Sequence, residues 1–217
     1  RLFESRSEQT VMQFSGLRAV QSLLDRGNDL GKVFGTLAHL GKVTPDFVQA
    51  LDVAAGQYLS SLVVESDTVA QRSIEYLRER ELGTATFLPL NTITARPVPF
   101  DVESLKRERG VCGLAIDLVE YDARFEQIFS FVFGSTLIVE DIDVARRIGF
   151  GKVRMVTLDG DIIERQGVMK GGYRKRGADS LSFGRQGGLR GASSAAENEA
   201  AVKTLNEEVA AIERDHM

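Results

Sequence analysis

The 217-residue chain carries 27 Lys and Arg against 31 Asp and Glu, a formal net charge of −4, so the molecule as a whole does not attract a polyanion and any nucleic-acid contact has to come from a local basic patch. Hydrophobic residues make up 43%, enough to bury a core in one large domain or two small ones. The single cysteine, Cys112, excludes an internal disulfide and suits a reducing compartment, and no apolar run approaches the roughly 18–20 residues that span a membrane.

In chain order, the first segment opens on Arg1 rather than Met and carries no basic-then-apolar leader, so a piece of a longer protein is expected. Val11, Phe14, Leu17, Val20 and Leu24 recur at spacings of three and four, which predicts an amphipathic helix over 1–27. At the other end Val202, Leu205, Val209 and Ile212 form a heptad seam over 193–217, with charged residues on the remaining faces. Together the two segments suit one antiparallel coiled-coil pair; two ordinary helices packed on the body fit the periodicity equally well.

The body between them contains an internal repeat. Gly35-Thr-Leu-Ala-His-Leu40 aligns with Gly113-Leu-Ala-Ile-Asp-Leu118, Phe47 with Phe125 and Gly56 with Gly134. After a short deletion Val63-Val64-Glu65 meets Ile138-Val139-Glu140, Val69-Ala70 meets Val144-Ala145, and Ala85-Thr86-Phe87-Leu88 meets Arg154-Met155-Val156-Thr157. Each copy reads strand, helix, strand, helix, strand. In the first, Thr44-Pro45 starts a helix with Phe47, Ala50, Leu51 and Ala54 inward and Gly56 as its stop. Leu62–Val64 is a strand, Asp67 caps a helix with Ala70, Ile74 and Leu77 inward, Gly83 ends it, and Ala85–Leu88 is a strand closed by Pro89. Arg96-Pro97-Val98-Pro99 is a stiff connection into a polar helix from 101 to 109.

In the second copy Asp122 caps a helix with Phe125, Ile128, Phe129 and Val132 inward and Gly134 as its stop. Leu137–Val139 is a strand, Asp141 caps a helix with Val144, Ala145 and Ile148 inward, and Val153–Leu158 is a strand. Asp159-Gly160 predicts a two-residue turn into Asp161-Ile162-Ile163. The expected fold is therefore α/β (α+β): two pseudo-repeated subdomains with small mixed sheets and packed helices, flanked by antiparallel coiled-coil helices. The expected divisions are 1–27, 28–100, 101–110, 111–192 and 193–217.

From Gly160 to Gly172 glycines are dense, which suits either turns or a close approach of another backbone. A basic run follows: Arg165, Lys170, Arg174, Lys175, Arg176, Arg185 and Arg190, with Tyr173 and Phe183 interleaved and only Asp179 against it. Such a run can contact phosphates without reading sequence, or can be a solvated surface. Residues 180–194 are rich in Gly and Ser.

Catalytic signatures are lacking. Gly27-Asn-Asp-Leu-Gly31-Lys32-Val33 is one residue short of a P-loop and has no hydroxyl for magnesium; Gly149-Phe-Gly-Lys152-Val153 fails in the same way. With one cysteine and two distant histidines, His39 and His216, no zinc cluster can be read. Glu140, Asp141 and Asp143 suit a helix N-terminus better than a metal. Neither an active site nor a cofactor is expected in this segment.

The blocks Gly35-Thr-Leu-Ala-His-Leu40, Leu62-Val-Val-Glu65, Ala85-Thr-Phe-Leu-Pro-Leu90 and Arg154-Met-Val-Thr-Leu-Asp-Gly-Asp161, followed by Gly167 and Gly171-Gly172, occur in one order across residues 30–175. In this the chain closely resembles the hinge domain of SMC proteins, the chromosome condensation and segregation ATPases, of the bacterial and archaeal type. The resemblance implies two similar subdomains and a two-fold homodimer in which subdomain one of each chain meets subdomain two of the other. Sheets would continue across each junction and the pair would enclose a small opening. It places Gly160, Gly167, Gly171 and Gly172 at that interface. It implies coiled-coil arms leading to head domains that bind ATP, magnesium and a kleisin partner, none of them within this chain. DNA contact near the coil junction would engage the basic run, and the setting would be cytoplasmic, on the nucleoid, without a membrane. Two readings follow: a homodimerisation hinge, or a module whose first task is DNA binding through 165–190. A nucleotide-binding enzyme using the glycine-rich turn is a third reading.

Overall fold

The computed structural model describes residues 19–24, 29–95, 97–172 and 182–183. The expected arm over 193–217, and all of 1–27 except 19–24, lie outside the described residues. The helical residues 19–24 (α1) bury Ala19, Val20 and Leu23 against Leu62 and Leu77 of the body. In this stretch the apolar face is therefore spent on the domain.

The first copy runs β1 (Val33–Thr36), the short helix α2 (Leu37–Leu40), β2 (Lys42–Val43), α3 (Val48–Ala55), β3 (Leu62–Val64), α4 (Asp67–Glu79) and β4 (Phe87–Pro89). After α5 (Phe100–Ser104), extended by a 3₁₀ turn over Leu105–Arg107, the second copy runs β5 (Val111–Leu114), β6 (Val119–Glu120), α6 (Glu126–Phe133), β7 (Leu137–Val139), α7 (Ile142–Ile148) and β8 (Met155–Thr157). Two further strands, β9 (Ile162–Ile163) and β10 (Met169–Lys170), extend the second copy alone.

The repeat holds at the level of single dihedrals. Gly56 and Gly134 end α3 and α6 at φ 54°, ψ −128° and φ 46°, ψ −130°. Each first strand pairs antiparallel with the middle strand of its copy, β1 with β3 and β5 with β7, and each has an irregularity at the same place, between Val33 and Gly35 and between Val111 and Gly113. The short deletion of the second copy falls within the 3₁₀ segment Gly56–Ser60, so that the stop at Gly134 leads into β7 without a 3₁₀ segment. One alignment shifts. Leu62 N–H donates to Thr86 O at 2.9 Å as Leu137 N–H donates to Arg154 O at 2.9 Å, so Arg154 corresponds to Thr86 and not to Ala85.

The sheets are β1-β3-β4 and β10-β9-β8-β7-β5, with a separate antiparallel pair β2-β6 joining the copies, Lys42 opposite Glu120 and Val43 opposite Val119. Alternation along the strands divides the core. Val63 and Leu88 of the first sheet and Ile138, Val156 and Ile162 of the second face one shared cluster, which also holds Leu51 and Ala54 of α3 and Ile128, Phe129 and Phe133 of α6. Leu137, Val139, Met155 and Ile163 face the other way, onto α7. The two copies are thus fused through the faces that carry α3 and α6.

Several local expectations need correction. The cap of α4 is Ser66, whose side chain accepts from Val69 N–H; Asp67 is already helical and instead exchanges hydrogen bonds with Asn91, both at 2.9 Å. The inner stripe of α4 is Val69, Ala70, Ser73 and Leu77, while Ile74 is 43% exposed. Ser73 is tolerated inside because its hydroxyl donates to Val69 O at 2.8 Å. Helix α4 closes at Glu79, before Gly83. Pro89 does not close β4 but belongs to it, and its ring nitrogen faces away from β3 because Thr86 O and Leu90 N–H are the groups that bond β3. Asp122 and Asp141 cap as expected, accepting from Arg124 and Val144 N–H.

Because the copies share one core, Phe133→Ala is expected to lower the unfolding free energy by about 3–5 kcal/mol and to leave a single cooperative transition. Urea titration followed by far-UV dichroism and by Tyr fluorescence checks it; two separated transitions would show that the copies fold independently.

Candidate functional site

The distinctive part of the molecule is what the second copy adds to the repeat. β8 and β9 pair antiparallel with Met155 opposite Ile163 and Val156 opposite Ile162, and Thr157 N–H donates to Asp161 O at 2.9 Å. The loop is therefore Leu158-Asp159-Gly160, three residues rather than the expected two. Gly160 N–H donates back to Thr157 O at 2.9 Å, and Gly160 sits at φ 86°. This is a type I turn followed by a left-handed residue. The next connection repeats it: Glu164 N–H donates to Val168 O and Gly167 N–H to Glu164 O, both at 2.8 Å, with Gly167 at φ 84°. Gly160 and Gly167 thus have a reason within the chain, since each supplies the left-handed position of a three-residue hairpin loop. The Gly160 turn also rests on the first copy, with Val53 and Gln49 of α3 beside it and the Gln49 side chain donating to Asp159 O.

Gly171 and Gly172 are folded around one carboxylate. Gly172 N–H donates to Asp161 Oδ1 at 3.0 Å, and a Cβ on Gly171 would collide with that same carboxylate. Asp161 is held from behind, its own N–H donating to Thr157 Oγ1 at 2.9 Å. The glycine pair follows β10 and is exposed, as are Val168 at 62% and Met169 at 46%.

The alternation of hydrogen bonds fixes which groups face outward. Val168 and Lys170 bond toward β9, so the N–H and C=O of Met169 point away from the sheet, along an edge that no described strand pairs. In the first sheet Thr86 and Leu90 bond β3, so Phe87 and Pro89 point outward along the other side of β4. At the equivalent edge of the second copy, β8 is covered by β9. Among the described residues, one chain therefore carries an open strand where its own repeat shows a covered one, and an added exposed strand elsewhere.

Of the basic candidates, Arg165 lies in the β9–β10 loop and Lys170 on β10, both exposed on the same hairpin. Arg174, Lys175, Arg176, Arg185 and Arg190, with Tyr173, lie outside the described residues. Phe183 is not available to stack on a base. It is 2% exposed, seated among Gly41, Phe129 and Phe133, with its N–H donating to Asp52 Oδ1 at 3.1 Å. Sequence reading missed this anchor because an aromatic inside a basic, Gly/Ser-rich stretch gives no periodic signal.

Away from the hairpin, burial pushes the half-buried Cys112 thiol up, with the Glu140 charge adding to it, so the thiol is a weak nucleophile at neutral pH. Tyr121 is pushed up to about 12 by burial and by its hydrogen bond to Glu126. Among the described residues no group of three or more His, Cys, Asp or Glu is placed to hold a metal, and no helix is long and apolar enough to cross a membrane.

The description of the SMC proteins flexible hinge domain matches residues 30–149. The chain is 43% identical over 176 residues to the chromosome partition protein Smc of Synechococcus sp., covering 81% of this chain and 14% of that protein. It is 43% identical over 160 residues to the protein of the same name from Methanocaldococcus jannaschii, covering 73% and 13%. The chain thus spans about one seventh of the relatives it matches. Among solved structures it resembles the Geobacillus stearothermophilus SMC hinge domain, determined as an asymmetric dimer, with a TM-score of 0.72 at 29% identity over 95% of this chain and 82% of that one. It also resembles the Pyrococcus furiosus Smc hinge domain with an extended coiled coil, with a TM-score of 0.67 at 32% identity over 97% and 73%.

Gly171→Ala is expected to force the Asp161 carboxylate aside and lower stability by about 1–3 kcal/mol. Asp161→Ala removes the obstacle, so the double variant falls short of the sum of the single ones. A urea double-mutant cycle measures this; strict additivity would mean that the pair is not coupled.

Proposed function

Because the chain belongs to the SMC hinge domain family, we propose that it is the homodimerisation hinge of a chromosome partition protein. In this reading 28–100 and 111–192 are its two subdomains, and 1–27 and 193–217 are the beginnings of one antiparallel arm. The observation that carries the reading is the pair of unlike open edges on one chain, β4 in the first sheet and β10 at the end of the second. Two copies related by a two-fold axis would join β10 of each to β4 of the other. The antiparallel arrangement that β9 makes with β8 would put Met169 of one chain opposite Phe87 of the other, with Phe87 offering both backbone groups and Pro89 only its carbonyl. The exposed Val168 and Met169 side chains would then be covered. Gly160 and Gly167 would act by shaping the hairpin, and Gly171 and Gly172 by keeping the backbone beyond β10 close to Asp161.

In this proposal the chain has no catalytic role and binds no cofactor. ATP, magnesium and a kleisin partner belong to head domains elsewhere in the parent protein, which would act in the cytoplasm on the chromosome. Sequence-independent DNA contact is a second task, supported by Arg165 and Lys170 standing exposed on one hairpin. It remains local, because the net charge is −4.

Sedimentation equilibrium over a wide concentration range is expected to give twice the chain mass. Met169→Pro removes one outward N–H and none of the bonds to β9, and is expected to weaken the dimer at least about tenfold while preserving the far-UV spectrum; an undiminished dimer would exclude this edge. If the hairpin also binds duplex DNA, replacing Arg165 and Lys170 by alanine reduces the slope of log affinity on log salt by about 0.9 for each phosphate that is no longer neutralised. An unchanged slope would make the two side chains plain solvated surface.

A further inference from the structure

We infer that Arg154 is a positioning residue that holds the β9–β10 hairpin at the orientation a second copy meets; the inference rests on the dimer reading above and assigns a role to a residue inside the fold. Arg154 precedes β8 and points to the face shared with the first copy. Its Nη1 donates to Ala54 O at 2.9 Å and to Thr136 Oγ1 at 3.3 Å, and its Nε reaches Glu164 Oε1 at 3.4 Å. These three partners belong to three different parts of the molecule. Ala54 lies in the last turn of α3 in the first copy, where helix carbonyls lack an intrahelical donor. Thr136 leads into β7 of the second copy. Glu164 closes the loop of the hairpin, donating its N–H to Val168 O and accepting from Gly167 N–H. The planar guanidinium suits such a junction because its donors leave in fixed, divergent directions.

The repeat provides the control. The residue equivalent to Arg154 is Thr86, which bears the same backbone hydrogen bond to the neighbouring strand but carries a short side chain. The first copy has no hairpin beyond β4 and so nothing for an arginine to hold. The long, charged side chain occurs only in the copy that has gained β9 and β10. A pure packing role would not call for contacts that reach both the other copy and the hairpin loop. Arg154 touches neither open edge, so its effect on association has to pass through the hairpin.

The test is the dimer dissociation constant of the full 217-residue chain by sedimentation, at a temperature where every variant keeps the native far-UV spectrum. Variants are Arg154→Met, Arg154→Lys, Glu164→Ala and the double variant that combines Arg154→Met with Glu164→Ala. Arg154→Met is expected to weaken the dimer about tenfold or more, Arg154→Lys to lie between it and the wild type, and Glu164→Ala to weaken it about threefold. Glu164→Ala is expected to add nothing once Arg154 is gone. A residue that only stabilises the fold would leave the constant of the still-folded chain unchanged and would show no such coupling. Wild-type affinity in Arg154→Met and Glu164→Ala, with the wild type dimeric, overturns the role of Arg154 and leaves the dimer reading standing. A wild type that is monomeric at every concentration removes the dimer reading, and the role with it. Should Arg154→Met fail to fold, Glu164→Ala decides alone, since it leaves the contacts to Ala54 and Thr136 intact.

Discussion

Everything in this molecule is arranged around one buried contact, the packing of α3 and α6 between the inner faces of two small sheets. A three-stranded sheet cannot bury both of its faces by itself, and a copy of this size has little apolar surface with which to stand alone. Placing Leu51 and Ala54 against Ile128, Phe129 and Phe133 gives both sheets a common interior. The β2–β6 pair and the return of Phe183 close the same junction from the side. Outer faces are then covered locally, by α1 and α4 on one side and α7 on the other.

That constraint explains what could be read in the sequence. Repeated blocks such as Gly35–Leu40 and Gly113–Leu118 are legible because the same backbone path needs the same irregular strand twice. The stops at Gly56 and Gly134 are legible because only glycine readily adopts φ near 50° with ψ near −130°. Caps with a single candidate, Asp122 and Asp141, were legible as well. Ser66 was missed because Asp67 beside it has the same chemistry, although the repeat favours Ser66, since aligning Glu65 with Glu140 puts Ser66 opposite the cap Asp141. In α4 Ala70 and Leu77 face inward as expected, and only Ile74 was misplaced, because Ser73, polar yet bonded to its own helix, takes the inner position between them. The last strand of the repeat slipped by one because α4 and α7 differ in length, and composition does not say where the difference falls.

The candidate site was legible as a location and not as a mechanism. Four glycines in one stretch announced an unusual backbone. Two of them turn out to shape three-residue loops, and one gives room to a carboxylate. What no spacing rule could show is which strand edge is open. That depends on the order of strands within each sheet, a long-range property, and on the direction in which Met169 and Phe87 present their backbone groups. Arg154 was hidden for a related reason. It looked like one more residue in an aligned block, and it stands out only when the correct equivalent, Thr86, shows what the other copy lacks.

Unlike open edges on one chain pose a problem that the fold has to solve. A β10-to-β4 contact is heterologous, and repeated without closure it would build a filament. In the proposed pair, closure after two chains requires a particular angle between the two sheets, which the α3–α6 core and the contact of Arg154 with the hairpin loop would set inside the chain. In the proposed pair each junction joins the same two edges, so the two contacts are equal in strength by symmetry. If one opens, the other becomes a tether that keeps the separated edges at high effective concentration, and re-closure is then intramolecular. A stiff interior and two modest edges thus allow a pair that stays together while either side opens, which a single larger interface of the same total strength would not.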